Sequence, residues 1–335
     1  MLGLEGKYAY AVGRSRAVEA KLLDRATIDR VVDAPDVQSA FKILGEAGYS
    51  YVDSILKEES PIDEVLNKEE MKLFYFIKET SPDERLIDIF TLPYDYHNIK
   101  VLLKARTYEV PPASAISGLA SLSTESINDA LGGEVQAIPD EFSLAIERAQ
   151  AVHSLRPSPE IIDIIVDKEM YGDLLKRARA IGIPFLTKQI QNEIDCLNLS
   201  IFFRARKMGR DAWLVEHALV PGGKLDSVRL ATAYKDGAPD SLMNVLSKTG
   251  YEFIAKRGLE LLEKGRSLSE IERFFEGISI RLIDQARQVP LGPEPFIGYI
   301  LAKQRELEVV RLVIASKTAG VSRDSMRERL RDGYV

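Results

Sequence analysis

The chain has 335 residues, of which 45% are apolar and 29% charged, and it carries a net charge of −6 at pH 7. This length is more than one compact core usually serves, so it predicts two or three domains. The acidic balance argues against general nucleic-acid binding, which requires a basic field over a whole domain. No apolar run reaches the roughly 18 residues of a transmembrane helix, so the sequence predicts no direct transmembrane segment.

The predicted elements are helical along the whole chain. Apolar residues recur at intervals of three and four, and strict alternation is scarce, which indicates an all-α protein. The first helix is predicted in residues 8–32, a segment rich in Ala, Leu, Arg and Glu. Pro35 and Asp36 then interrupt the pattern, and a second helix follows that ends at Gly48.

One helix occurs three times in the sequence. Residues 95–106 read DYHNIKVLLKAR, residues 195–206 read DCLNLSIFFRAR, and residues 306–317 read ELEVVRLVIASK. Each copy begins with an acid, continues through an apolar centre and ends with a base, and the first two copies have asparagine at the fourth position. The acids and asparagines are Asp95, Asn98, Asp195, Asn198 and Glu306. The apolar centres predict buried core helices, the second running from about residue 185 to residue 206.

A second repeat supports the first. The segment AFKILGEAGYSYV (40–52) matches LMNVLSKTGYEFI (242–254), and Gly48 aligns with Gly250. A weaker match in residues 174–186 has Gly182 at the same position. We expect each of these structural glycines to end a helix in the left-handed conformation.

The repeats divide the chain into three similar helical domains, predicted as residues 1–106, 107–206 and 207–335. The boundaries follow loop-like stretches rich in Pro, Ser and Gly that come after the first two core helices. Three related units favour a pseudo-threefold body, which is better suited to an axial partner than to a catalytic pocket.

The repeated acids are interpreted as structural rather than catalytic. Carboxylates that share acid–base work must converge on one pocket, whereas these acids recur at equivalent positions of separate units. An acid in a buried helix requires a partner. We expect arginines of a unit's first helix to supply it, such as Arg14 or Arg16 for Asp95.

Bases follow the apolar centre of each core helix. In the last turn they complement the helix dipole. If the core helices converge on an axis, the bases also form a ring that can hold the acidic end of a partner. The predicted partner-binding residues are Lys100, Lys104, Arg106, Arg204, Arg206, Arg210 and Lys317.

Motifs for known chemistry are missing from the sequence. There is no P-loop and no H-E-x-x-H pattern, and the histidines are far apart. The single cysteine, Cys196, has no intrachain disulfide partner. We therefore predict no catalytic residue, no cofactor and no metal site.

The segments YDYHNIKVLLKAR, NEIDCLNLSIFFRAR and PEPFIGYILAKQRELEVVRLVIASKTAG resemble three signature regions of the C subunits of V/A-type ATP synthases, a family that includes the d subunits of V-ATPases. The resemblance covers nearly the whole chain. It implies an all-helical, funnel-shaped protein of three similar domains in the central stalk of a rotary ATP synthase or ATPase.

The implied function is that of a non-catalytic adapter. By this resemblance, one face contacts the membrane proteolipid (c/K) ring at the cytoplasmic side of the cell membrane, and the other receives the D and F subunits of the central shaft. The adapter transmits torque and so couples ion transport, of hydrogen ions among others, to ATP synthesis or hydrolysis. The alternatives are an all-helical enzyme with an unrecognised site and a peptide-binding scaffold.

Overall fold

The structure is a computed structural model that describes residues 3–50, 52, 62–112, 115–134 and 137–330. Its regular structure within these ranges consists of sixteen α-helices and no strand, which confirms the predicted all-α class. The chain separates into two compact units, unit 1 (Met1–Ile87 and Arg273–Val335) and unit 2 (Asp88–Glu272). The division into three helical domains and their funnel-like, pseudo-threefold arrangement stay predictions.

Unit 1 contains the first four helices and the last two. They are α1 (Leu4–Glu19), α2 (Arg25–Asp33), α3 (Val37–Glu46), α4 (Ile62–Thr80), α15 (Pro293–Thr318) and α16 (Arg323–Leu330). The single helix predicted in residues 8–32 is two helices, α1 and α2, with a break at residues 20–24. Two helices cross the boundaries between the units, namely α5 (Arg85–Thr107) and α14 (Ser269–Gln288).

Unit 2 contains most of α5, the beginning of α14 and all the helices between them. The latter are α6 (Thr124–Gly132), α7 (Asp140–Leu155), α8 (Pro159–Ile181), α9 (Pro184–Met208), α10 (Ala212–Ala218), α11 (Ser227–Asp236), α12 (Pro239–Leu246) and α13 (Glu252–Glu263).

The core of unit 1 forms around α15, which holds the third copy of the repeated helix. This helix packs against α1, α2, α3 and α4. Leu307, Val310 and Val313 belong to a buried apolar cluster together with Val32 and Phe41 of α2 and α3. The apolar centre of the third copy is therefore buried, as the sequence predicts.

The core of unit 2 forms around α9, which spans Pro184–Met208 and so contains the predicted second core helix. Leu199, Phe202 and Phe203 are buried, and α9 packs against α8, α10, α11 and α13. At the crossing with α13 a Cβ atom added to Gly258 would lie 2.3 Å from the Phe203 ring. Glycine is required there because the two helices approach so closely.

The glycines of the second repeat have the expected left-handed backbone, and Gly48 and Gly182 end a helix. The prediction that Gly250 also ends one is wrong, because α12 ends at Leu246 with Ser247 as its C-cap and Gly250 lies in the loop that follows. Gly48, Gly182 and Gly250 have φ values of 98°, 79° and 87°. At the end of α3 the Gly48 amide donates to the Gly45 carbonyl and the Tyr49 amide donates to the Leu44 carbonyl, which is the Schellman pattern. None of the helices in the described ranges combines the length and apolar character required to cross a membrane.

Candidate functional site

The three repeated acids are buried inside the core helices. Asp95 lies in α5, Asp195 in α9 and Glu306 in α15, and each is at most 1% exposed. A buried carboxylate must be hydrogen-bonded, because losing water without compensation is costly. Each of the three binds a chain segment that lies immediately before another helix. We call each set of hydrogen bonds a clasp and number the clasps in chain order.

The first clasp joins α5 to the start of α6. Asp95 Oδ1 accepts hydrogen bonds from the amides of Ser121 and Leu122 at 2.7 and 2.8 Å. Its other oxygen, Oδ2, accepts one from the Ser121 hydroxyl at 2.8 Å. Backbone amides and a hydroxyl thus replace the water that the carboxylate loses on burial.

The second clasp repeats this pattern between α9 and the start of α11. Asp195 Oδ1 accepts from the Leu225 amide at 2.9 Å. Its Oδ2 accepts from the Lys224 amide and from the Tyr251 hydroxyl, both at 3.2 Å. The tyrosine performs the role that a serine hydroxyl performs in the first clasp.

The third clasp joins α15 to the start of α2, within unit 1. Glu306 Oε2 accepts from the Leu23 amide at 2.6 Å, and Oε1 accepts from the Tyr49 hydroxyl at 2.7 Å. Lys303, one turn earlier on α15, also donates to Oε1. Among the described residues, this clasp alone of the three contains an ion pair to its carboxylate.

The clasps share one feature of sequence and geometry. The leucine amide bound in each case belongs to the residue just before a helix N-cap. The leucines are Leu122, Leu225 and Leu23, and the N-caps are Ser123, Asp226 and Asp24. Each core helix therefore fixes the start of one other helix. The first two fix α6 and α11, which come later in the chain, and the third fixes α2 near the beginning of the chain.

The prediction that Arg14 or Arg16 binds Asp95 is wrong. Arg14 donates to the Tyr10 hydroxyl, and Arg16 pairs with Glu19 in the same helix. Arg16 also donates to the Val289 carbonyl. The partners of Asp95 are two main-chain amides and the Ser121 hydroxyl. A main-chain amide belongs to almost every residue, so the sequence does not reveal which amides bind.

Asn98 and Asn198 each bind the main chain of the adjacent loop twice. Asn98 accepts from the Ser117 amide at 2.8 Å and donates to the Ser117 carbonyl at 2.9 Å. Asn198 makes the same two bonds with Val220, both at 2.8 Å. The asparagine side chain thus pairs main-chain groups of a loop residue that lies outside any helix.

The third copy has Val309 in place of asparagine, and its surroundings explain the change. The residue that corresponds to Ser117 and Val220 is Val18, which lies within α1. The Val18 carbonyl accepts from the Ala20 and Lys21 amides at the end of that helix. Because helical hydrogen bonds already satisfy the chain here, an asparagine would have no group left to bind.

Two glycines let the main chain approach the second clasp. A Cβ atom added to Gly223 would lie 2.1 Å from Asp195 Oδ1. One added to Gly222, whose φ is 104°, would lie 2.5 Å from a Leu175 methyl group. This Gly-Gly turn therefore has a packing function.

Burial raises the pKa of Asp95 and of Asp195, although their amide and hydroxyl donors oppose the shift. The pKa of Tyr49 is raised well above its usual range by burial and by the charge of Glu306. Burial, followed by the charge of Asp195, raises the pKa of Tyr251 in the same way. Both tyrosines therefore keep their protons and act as donors to the carboxylates.

Four of the predicted partner-binding bases form ion pairs within unit 2. Their acidic partners lie on α8 and on α14. The pairs are Lys100–Asp167 at 2.6 Å, Lys104–Asp163 at 2.7 Å, Arg204–Glu272 at 2.6 Å and Arg210–Glu160 at 3.1 Å. The structure thus brings these bases together on one unit.

The remaining three bases have other surroundings. Arg206 donates to the carbonyls of Ala233 and Tyr234 near the end of α11, and its guanidinium lies 4.6 Å from the centre of the Tyr234 ring. Lys317, in unit 1, donates to the carbonyls of Val32 and Ala34 at the end of α2. Arg106 is exposed at the end of α5. The binding of a shaft by any of these bases stays a prediction.

The comparison with protein families gives one match along nearly the whole chain. The sequence model described as "ATP synthase (C/AC39) subunit" matches residues 11–329, a range that includes all three clasps. The chain belongs to the ATP synthase (C/AC39) subunit family. The resemblance inferred from the three core-helix segments is confirmed.

Relatives within the family differ greatly in sequence, but each match covers most of both chains. The C subunit of the V-type sodium ATPase of Enterococcus hirae is 25% identical over 95% of this chain and 96% of its own length. The C subunit of the A-type ATP synthase of Thermococcus kodakarensis is 26% identical over 96% and 89%. That of Methanocaldococcus jannaschii is 22% identical over 96% and 86%.

The sequence contains a further signal for the clasps, outside the repeated core helices. A leucine, an N-cap residue and a further apolar residue recur as Leu23-Asp24…Ile28, Leu122-Ser123…Ile127 and Leu225-Asp226…Leu230. This is the spacing of a hydrophobic staple, in which the residue before the N-cap packs on the first full turn. These three staples coincide with the three helix starts that Asp95, Asp195 and Glu306 bind.

Proposed function

We propose that this protein is a central-stalk component of a rotary V/A-type ATP synthase or ATPase. It acts as a non-catalytic adapter between the D and F subunits of the shaft and the membrane proteolipid ring, on the cytoplasmic face of the membrane. The observation that carries the proposal is the family match over residues 11–329, supported by relatives named as the C subunits of such complexes.

The clasps give the adapter a physical basis. A part that transmits torque must not bend where its helices join. Each clasp fixes the start of a helix to a buried core helix through two or more hydrogen bonds from the backbone and from neighbouring side chains. Close-packed interiors resist deformation. We infer that the clasps stiffen the protein and that its surface makes the contacts with partners.

The proposal is tested by removing the protein from the complete complex. Inverted membrane vesicles from cells that lack it should drive no ion transport with ATP, and the detached catalytic head should still hydrolyse ATP. Adding the purified protein back should restore pumping. ATP-driven transport that persists in its absence would contradict the adapter function.

The partners are tested by capture from detergent-solubilised membranes. We expect the tagged protein to recover the D and F subunits and the proteolipid together. Recovery of none of these, combined with turnover of a small metabolite, would favour the alternative of an all-helical enzyme.

A further inference from the structure

One end of unit 2 gathers the last turns of three helices. Lys104, near the end of α5, pairs with Asp163 at 2.7 Å, and Arg210, just after α9, pairs with Glu160 at 3.1 Å. Both acids lie in the first turns of α8. The ends of α5 and α9 are therefore fixed beside the start of α8.

The end of α7 is held in the same place. His153 Nε2 lies 2.8 Å from the Tyr108 hydroxyl, just after α5. Arg156, just after α7, forms a bidentate pair with Asp211 at 2.7 and 2.9 Å. We call residues 104–110, 153–163 and 204–211 the terminal surface of unit 2.

The terminal surface exposes several large apolar side chains. Leu155 is 79% exposed and Met208 is 64% exposed. Val110 and Tyr108 are 53% and 38% exposed. Apolar side chains grouped on a surface mark sites of interaction with other molecules, whereas isolated ones do not.

A largely apolar cavity of about 450 Å³ lies beside this surface, between α8, α9 and α10. Its apolar lining includes Ile164, Tyr171, Ile201 and Met208. Its acids, Glu160, Asp163 and Asp167, are each paired with a base of the protein. Met208 thus belongs to both the cavity and the exposed surface. A cavity of this size accepts side chains that project from a partner helix.

The charge of the terminal surface identifies the partner chemistry. In the part of the chain that the structure describes, neither Arg106 nor Arg206 pairs with an acid, and Lys207 donates to the Arg266 carbonyl instead. The protein as a whole carries a net charge of −6. An acidic partner is therefore attracted to this surface and repelled by most of the remaining molecule.

We propose that the terminal surface of unit 2 is the docking site for an acidic amphipathic helix of the shaft, which inserts apolar side chains into the adjacent cavity. The acids of that helix contact Arg106, Arg206 and Lys207. This inference rests on the proposed function, because it assumes that the shaft is a partner.

The test uses substitutions of exposed residues with matched controls on the same unit. Arg106→Glu reverses a charge on the terminal surface, and Leu155→Glu adds one to its apolar part. Lys188→Glu, near the opposite end of α9, and Leu144→Glu, near the start of α7, make the same chemical changes away from it. Circular dichroism establishes that all four variants keep the helical fold, and Arg106→Gln serves as a milder second variant.

Binding of the purified D–F subcomplex is measured by titration at low and high salt. We expect Arg106→Glu and Leu155→Glu to weaken binding about tenfold or more, and added salt to weaken binding of the unmodified protein. The two controls should bind as the unmodified protein does. Tight binding that none of the substitutions changes would overturn the docking site and leave the proposed function intact. Failure of the unmodified protein to bind the shaft would overturn both.

Discussion

The second and third clasps hold equivalent helix starts by different means. Asp195 relies on two amides, a tyrosine hydroxyl and the neighbouring Asn198, which binds the loop. Glu306 has one amide and a tyrosine, and it adds the ion pair with Lys303. The loop before the second clasp is irregular, whereas a helix leads to the third. A core helix therefore carries an additional asparagine, Asn198, where the adjoining segment leaves backbone groups unpaired, and an apolar residue, Val309, where a helix has already paired them.

The largest effect should come from breaking the third clasp. Glu306→Ala removes the acceptor of the Leu23 amide and the Tyr49 hydroxyl, and it leaves Lys303 without its counter-charge. We expect a loss of about 3 to 5 kcal/mol in the free energy of unfolding, as found when one partner of a buried ion pair is removed. Chemical denaturation measures it.

Glu308→Ala is the matched control, since this glutamate lies on the exposed side of the same helix, where ion pairs contribute little. If both variants unfolded at the same denaturant concentration, the third clasp would contribute nothing to stability.

A smaller effect should follow from exchanging the residue that differs between the clasps. Asn198→Ala leaves the buried amide and carbonyl of Val220 without partners, and we expect a loss of about 1 to 3 kcal/mol. Val309→Asn places a polar group where the hydrogen bonds of α1 already pair the main-chain groups, so it should also destabilise the protein. Denaturation of both variants tests the explanation, and a stabilising Val309→Asn would contradict it.

The smallest effect is a dependence of stability on pH at the second clasp. The pKa of Asp195 is raised by burial, so the folded protein holds this proton more tightly than the unfolded chain does. Its contribution is therefore fully present below the unfolded pKa and is lost as the pH rises through the folded pKa. Compared with Asp195→Asn, the unmodified protein should lose relative stability as the pH rises from about 4 towards neutrality.

Asp211 supplies the control of opposite sign. Hydrogen bonds from Arg156 lower the pKa of Asp211 to about 2. Its contribution is present above the unfolded pKa and is lost as the pH falls through the folded value. Relative to the unmodified protein, Asp211→Asn should show its slope between about pH 2 and 4, and Asp195→Asn should show a slope of opposite sign above about pH 4. Slopes of the same sign would mean that burial does not govern the pKa of Asp195.

The helical class, the three core helices and the glycine ends of α3 and α8 could be predicted from the sequence. Periodicity, caps and turn residues are local, and each determines the conformation of a few neighbouring residues. The repeated acids were also visible, and their structural interpretation agrees with their burial and hydrogen bonding. Tyr49 and Tyr251 also occupy matching positions in the second repeat, but the sequence does not reveal that their hydroxyls bind Glu306 and Asp195.

What the acids bind was decided only by the tertiary structure. Asp95 binds amides in the loop that follows its own helix, and Asp195 binds amides in the loop after α10. Glu306 binds an amide near the beginning of the chain. Every residue except proline has such an amide, so composition cannot reveal which one is left unpaired by its own helix or loop. Packing selects it, because burial of a carboxylate leaves only the donors that lie within hydrogen-bonding distance. The sequence by itself determined that three acids would lie inside helices, and the fold determined which helix starts they hold.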